Sequence, residues 1–183
     1  IYIFTWINTI NPSKDVDGLT YVNSGKLLNG EDGMVSCTPA GIIELLKFYN
    51  IDIASKNVVI VGRSILVGKP LSMLFLKENA TVTVCHSKTS NLSYFTKNAD
   101  ILVVAVGKKH LITKDMVKEN SVIIDVGINR VDDKIYGDVD FENVKDIATI
   151  TPVPGGVGPM TVTMLLYNTV KNYKENQKKL VLK

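Results

Sequence analysis

Val58–Pro70, reading VVIVGRSILVGKP, is the stretch that decides the fold. Its four β-branched apolar residues, Val58, Val59, Ile60 and Val61, predict a buried strand that breaks at Gly62. A helical pattern follows from Lys69 onward. Strand, glycine turn and helix start, in that order, present backbone N–H groups and a helix dipole to a pyrophosphate. Gly62, Ser64 and Gly68 are spaced G-x-S-x-x-x-G, not G-x-G-x-x-G, so the motif draws its weight from this context. The alternative is an ordinary strand-to-helix turn, and the rest of the chain decides between them.

Working outward, apolar strands alternate with helical patterns. Pro39–Asn50 reads as a helix, with Thr38 as N-cap, Pro39 at its first position and an apolar face of Ile42, Ile43, Leu45, Leu46 and Tyr49. Pro70–Glu78, Ser90–Asn98 and Met160–Lys174 are further helices, and Thr113–Val117 forms a helical turn or two. Thr81–Cys85, Ile101–Val106, Val122–Val126 and Ile147–Ile150 are further strands. The unbroken apolar run of Ile101–Val106 suits a sheet covered on both faces. The spacing argues an α/β fold, a Rossmann-like doubly wound parallel sheet. The first 35 residues carry turn-rich polar text (NPSKDVDG, NGEDG) with no strong period, and read as a connector.

Composition excludes several classes. The chain of 183 residues, 45% hydrophobic, can bury one domain core. Lys plus Arg (21) barely exceeds Asp plus Glu (18), so the net charge of +3 gives no reason to invoke nucleic acid. No stretch reaches the roughly 18 uninterrupted apolar residues of a membrane helix. Ile1–Ile10 is too short for one and lacks the marks of a signal peptide, so the cytoplasm is the default expectation, with an organelle left open. Lys171, Lys174, Lys178, Lys179 and Lys183 read as a solvated helix face and tail. Cys37 and Cys85 make neither a disulfide framework nor a zinc site, and read as buried thiols. The two arginines, Arg63 and Arg130, follow the glycine turn and end VIIDVGINR, where a planar fork suits phosphate or carboxylate.

Three constellations carry chemistry. The second strand ends Val84-Cys85-His86-Ser87-Lys88, with no carboxylate to hold a ribose 2′-hydroxyl. Arg63 and Ser87 could together hold a 2′-phosphate, which favours NADP over NAD. His86 and His110 read as ordinary satisfied histidines. Thr151–Pro159, TPVPGGVGP, concentrates turn residues in a loop whose backbone can approach a flat ligand closely, with Pro159 starting the final helix. Asp15-Val16-Asp17-Gly18 suggests a weak metal loop without further ligands at EF-hand spacing, or a solvated turn.

NPSKDVDG, CTPAG, VVIVGRSxxVGKP, ATVTVCHSKT, ADILVVAVG, VIIDVGINR, GDVDF and TPVPGGVGPMT, in this order from about Ile7 to Val170, resemble the methylenetetrahydrofolate dehydrogenase/cyclohydrolase family. The resemblance implies NADP-dependent oxidation of 5,10-methylenetetrahydrofolate and hydrolysis of the methenyl product to 10-formyltetrahydrofolate. It implies that Gly62, Arg63 and Ser64 form the cofactor-phosphate turn, that Ser87 meets the 2′-phosphate and that Ile128 lies near the nicotinamide. Asp17 matches the aspartate that hydrogen-bonds the pterin, a task suited to a carboxylate that accepts from two N–H groups. Pro154, Gly155, Gly156 and Gly158 match the loop flanking folate and nicotinamide. On this basis residues 1–50 are connector and interdomain helix, 51–150 the NADP-binding domain, and 151–183 the folate-facing loop and terminal helix.

Family members also carry an N-terminal lobe with a Tyr-x-x-x-Lys motif, whose lysine drives the cyclohydrolase step, and a Gln-Leu-Pro-Leu-Pro segment. Neither stands in its place here, so no catalytic residue is assigned. The terminal helix would pack on that lobe, and turnover by this chain alone is expected to be very weak or absent. The family forms homodimers through this domain. A competing reading is a non-catalytic NADP-binding module that pairs with a full-length subunit. An unrelated dehydrogenase would leave KDVDG and PVPGGVGP unexplained.

Overall fold

In the computed structural model, which describes residues 2–181, the segment read as a connector holds two helices, α1 (Tyr2–Ile7) and α2 (Tyr21–Asn29). No apolar stripe announces α2, because polar contacts hold it. Thr20 Oγ1 accepts from Asn23 N, and the Asn23 amide donates to Asp15 Oδ2 at 2.9 Å and to the Pro12 carbonyl at 3.2 Å. Asp15 also accepts from the N–H groups of Leu19 and Thr20. Its burial pushes the carboxyl upward, but the bonds from Asn23, Thr20 and Leu19 outweigh that and hold it below the ordinary 3.8.

The chain then alternates: α3 (Cys37–Phe48), β1 (Asn57–Val61), α4 (Gly68–Lys77), β2 (Thr81–Cys85), α5 (Leu92–Thr96), β3 (Ile101–Val104), β4 (Val122–Asp125). After a hairpin of β5 (Asn129–Val131) and β6 (Lys134–Tyr136) come α6 (Phe141–Val144), β7 (Thr149–Ile150) and α7 (Val157–Val181). Five strands form one parallel sheet in the order β2-β1-β3-β4-β7, with Val61 level with Cys85 on one side and Val104 on the other. The strand order reverses between β1 and β3, and ligands of such sheets bind outside the strand ends at that point.

Alternation along each strand sends side chains to two cores. Ile60, Val103 and Ile124 pack with Ile42, Leu46, Leu71 and Phe75 of α3 and α4. Val59, Val61, Leu102 and Val104 pack with Ile112, Val139 and Val144 on the opposite face. This double covering explains the unbroken apolar text of β1 and β3.

Two boundaries differ instructively. Helix α3 starts before Pro39, so Thr38 is not its N-cap; Ser36 holds that position, and the Thr38 hydroxyl instead lies 2.9 Å from the Thr161 hydroxyl of α7. Helix α7 likewise begins at Val157, before Pro159. The β5–β6 hairpin went unread because its turn is Asp132-Asp133, both at positive φ (48° and 59°), where Asn-Gly is the usual signal. Of the lysines read as a solvated face, Lys174 is exposed, whereas Lys171 donates to the Gly33 carbonyl at 3.4 Å. Lys183 and the side chains of Lys178 and Lys179 lie outside the described residues. Both cysteines are buried and free.

Candidate functional site

The Gly62 N–H donates to the Cys85 carbonyl at 2.9 Å, so the turn after β1 stands beside the end of β2. Arg63 and Ser87 therefore flank one corner, both exposed, and Arg63 makes no ion pair among the described residues. The turn is sterically closed from within. Gly62 sits at φ 132°, where an added Cβ would overlap the Ala105 carbonyl oxygen, and a Cβ on Gly68 would overlap the Gly62 carbonyl oxygen. Ser64 Oγ accepts from Val67 N at 3.0 Å and from Gly68 N at 3.4 Å. Its own O–H remains as a donor for an anion outside the turn. An exposed guanidinium, a serine O–H and a ten-residue helix beginning at Gly68 fit a pyrophosphate and a 2′-phosphate. His86 is satisfied locally, as expected: its Nδ1 accepts from Lys88 N at 3.1 Å.

A cleft of ≈ 570 Å³ opens at the C-terminal ends of β4 and β7. Ile128, Pro154, Gly155, Gly156 and Gly158 line it, with Thr38 and Val67 closing the side toward α3 and α4. The Val153–Pro154 peptide is cis. Ile128 is exposed, an apolar side chain lining the same opening as the Gly/Pro loop. Val67 belongs to the turn that carries Arg63 and Ser64, so the corner and the cleft are contiguous. The four predicted residues of the loop and Ile128 thus come together; Gly62, Arg63, Ser64 and Ser87 form the adjoining corner.

Asp17 does not line the cleft. It is exposed on the loop before α2, where its Oδ1 accepts from the Cys37 thiol at 3.4 Å. Cys37 precedes Thr38, so the carboxylate stands one residue from the cleft wall. Asn168 of α7 fixes this junction by donating to the carbonyls of Val16 at 2.8 Å and Val35 at 3.0 Å. Burial and then the Asp17 carboxylate push the Cys37 thiol to about 11, so it stays protonated and serves as a donor. Asp15 and Asp17, read together as a weak metal loop, serve separate ends. No group of three or more His, Cys, Asp or Glu gathers for a metal among the described residues.

Two buried aspartates were missed as site residues. Asp125 ends β4 and accepts from the N–H groups of Gly127, Asp138 and Val139, each at 2.9 Å. Burial pushes its carboxyl above the ordinary value against the pull of those bonds. Asp138 accepts from Val106, Gly107 and Lys108 N–H groups and from the Asn129 amide, at 2.7–2.9 Å. The signal was present in VIIDVG and YGDVDF. Each places a carboxylate beside a glycine, and a Cβ on Gly127 or Gly137 would strike the Asp138 or Asp125 carboxylate respectively.

The sequence pattern of the Tetrahydrofolate dehydrogenase/cyclohydrolase, NAD(P)-binding domain, matches residues 36–177. The chain belongs to this family. It is 65% identical over 171 residues to the Bifunctional protein FolD of Sulfurihydrogenibium sp., a match covering 92% of this chain and 60% of the relative. The Bifunctional protein FolD of Bacillus subtilis is 59% identical over 170 residues, with 92% and 60% covered. The chain thus spans about 60% of the length of the curated relatives it matches. Among solved structures, the bifunctional FolD dehydrogenase/cyclohydrolase of Campylobacter jejuni superposes with a TM-score of 0.93 at 50% identity, covering 94% of this chain and 62% of that one. The Trypanosoma brucei enzyme, complexed with NADP cofactor and inhibitor, gives 0.91 at 38% identity, with 96% and 63% covered. The matched part is the family's NAD(P)-binding domain, and among the described residues no helix is long and apolar enough to cross a membrane.

Proposed function

We propose that this chain binds NADP, rather than NAD, and forms the cofactor half of a site that oxidises 5,10-methylenetetrahydrofolate to the 5,10-methenyl compound. The observation that carries this reading is the continuity between the corner of Arg63 and Ser87, which offers donors and no carboxylate, and the cleft lined by Ile128 and the Gly/Pro loop. NADP, when bound, supplies the hydride acceptor. The protein's own residues bind and orient. Gly62, Arg63, Ser64 and Ser87 hold the phosphates, and Ile128 backs the nicotinamide. Pro154, Gly155, Gly156 and Gly158 exclude water over the reacting carbon, while Asp17 accepts from the pterin N–H groups. Hydride transfer needs the methylene carbon at near-attack distance, so each of these roles is positional. Residues 1–50 then carry the pterin anchor, 51–150 the cofactor and 151–183 the folate-facing loop and terminal helix.

Hydrolysis of the methenyl product to 10-formyltetrahydrofolate needs a general acid/base. No lysine lies among the described residues lining the cleft, so that group would come from polypeptide outside this cleft. Two unpaired buried thiols fit a reducing compartment, the cytoplasm.

A second reading rests on α7. Val162, Leu166, Val170 and Tyr173 leave an exposed apolar stripe on a helix whose other side packs on α3. That stripe favours a covering polypeptide, either further chain of the longer relatives or a second subunit. A homodimer, or a non-catalytic module pairing with a full-length subunit, both use it, and size exclusion after mixing with an intact homologue separates them.

Calorimetry with NADP and NAD, followed by addition of methylenetetrahydrofolate and absorbance of the methenyl product, tests the main reading. Arg63→Ala should cost NADP binding ~1.5–3 kcal/mol, as for a hydrogen bond to a charged group, and leave NAD little changed. Equal loss of both cofactors would show that Arg63 serves only the turn.

A further inference from the structure

Asp138 has no exposed surface, carries a carboxylate and faces no cation among the described residues. Its partners are three consecutive backbone N–H groups, Val106 at 2.7 Å, Gly107 at 2.9 Å and Lys108 at 2.8 Å, plus the Asn129 amide at 2.9 Å. Successive N–H groups converging on one carboxyl group, with Gly107 at φ 66°, make the concave nest that elsewhere receives a ligand's anion. Here the protein fills its own nest. The loop so gathered leaves β3 at the point where the strand order reverses, and Ala105, directly before it, is the residue whose carbonyl oxygen abuts Gly62. Through Asn129 the same carboxylate holds the residue after Ile128. The Asp138 backbone N–H in turn donates to the Asp125 carboxylate at the end of β4.

We propose that Asp138 is a positioning residue for the nicotinamide half of the cofactor: it acts through the Val106–Lys108 loop and through Asn129, and touches no ligand itself. This rests on the NADP reading above. The adenosine half lies at the β1–β2 tips, on the far side of β1 from this loop. Disturbing Asp138 should therefore weaken what the nicotinamide half contributes and spare the adenosine half. A structural role alone would weaken both halves together, or neither.

The test is Asp138→Asn, which puts an amide N–H₂ against the Val106 and Gly107 donors or else turns two donors on Lys108 and Asn129. The chain and its variant are titrated by calorimetry with NADP and with 2′,5′-ADP, which keeps only the phosphorylated adenosine half. Expected are an NADP affinity lower by about tenfold or more, with 2′,5′-ADP unchanged within about twofold. Parallel losses for both ligands, or no loss for either, overturn the proposal. So does a wild-type chain that binds NADP no more tightly than 2′,5′-ADP, since the loop then contributes nothing. A wild-type chain that binds neither ligand refutes the cofactor reading itself, and this proposal with it. Should Asp138→Asn fail to fold, Asn129→Ala removes one donor of four and leaves the carboxylate in its nest. It should lower NADP affinity by about threefold and leave 2′,5′-ADP unchanged, and equal effects on both ligands count against the proposal.

Discussion

Gly68→Ala should destabilise the chain although it places a better helix former at the start of α4. In an unobstructed helix the exchange gains up to about 1 kcal/mol, from propensity and from a less mobile unfolded chain. At Gly68 the new Cβ would overlap the Gly62 carbonyl oxygen and stand 2.7 Å from the Gly62 carbonyl carbon and 2.9 Å from Arg63 Cα. All three are backbone atoms of the turn, so no side chain can swing aside. Restoring the 2.7 Å contact alone to an ordinary 3.4 Å means parting turn and helix by about 0.7 Å, and the oxygen overlap demands more. Overpacking of this kind costs about 1–3 kcal/mol, and at a backbone–backbone contact the upper part of that range applies, leaving a net loss of about 2 kcal/mol. Gly25, in α2, is the internal control: nothing lies within 4 Å of its Cβ position, so Gly25→Ala should gain about 0.5–1 kcal/mol. Urea denaturation at constant slope reads both, and the expected thermal shift for Gly68→Ala is about 4–8 °C downward. A Gly68→Ala chain as stable as wild type would refute the steric closure of the turn, and with it the reason for the second glycine of the motif.

Asp15→Asn turns an N–H₂ toward the Thr20 N–H and the Asn23 amide, or toward Leu19, and should cost about 1.5–3 kcal/mol at pH 7. The folded carboxyl titrates below its ordinary 3.8, so the advantage of wild type is full above that value and shrinks as the pH falls below it. A wild-type advantage unchanged at pH 2 would show that the charge is not what holds α2. With the Cys37 thiol at about 11, only about 10⁻³ of it is thiolate at pH 8. Alkylation by iodoacetamide, followed by mass spectrometry, should be slow in the native chain and climb about tenfold per pH unit from 8 to 10. Rapid native-state alkylation of Cys37 at pH 7 would contradict its role as a protonated donor to Asp17.

The sheet was legible because its text is simple. β1, β3 and β4 are apolar runs buried on both faces, which a doubly covered parallel sheet requires, and Gly62 marked the turn. What stayed hidden is built from polar contacts. Helix α2 is anchored by Asp15 and Asn23, so periodicity is blind to it, and the Asp132-Asp133 turn relies on two non-glycine residues at positive φ. The site followed the same division. The Gly/Pro loop and the corner at Arg63 were readable from local composition. Asp125 and Asp138 were harder to read, since five of their seven partners are backbone N–H groups 13 to 32 residues away, and only the neighbouring glycines hint at them in the sequence.

The two ends of the site hang from different supports. The corner of Gly62, Arg63 and Ser87 is fixed by β1 and β2 of the sheet and by the first turn of α4, which packs on the sheet. Asp17 is fixed by Cys37 at the start of α3 and by Asn168 of α7, which bonds both Val16 and Val35. Helix α7 carries the exposed stripe of Val162, Leu166, Val170 and Tyr173, whereas β1, β3 and β4 are buried in the two cores. A polypeptide covering α7 therefore acts on the helix that positions Asp17 and leaves the β1–β2 corner as it is. On the proposed reading, cofactor affinity would belong to this chain's own packing, while the position of Asp17 would be open to whatever covers α7. That separation is the physical reason to expect cofactor binding to survive in this chain where turnover does not.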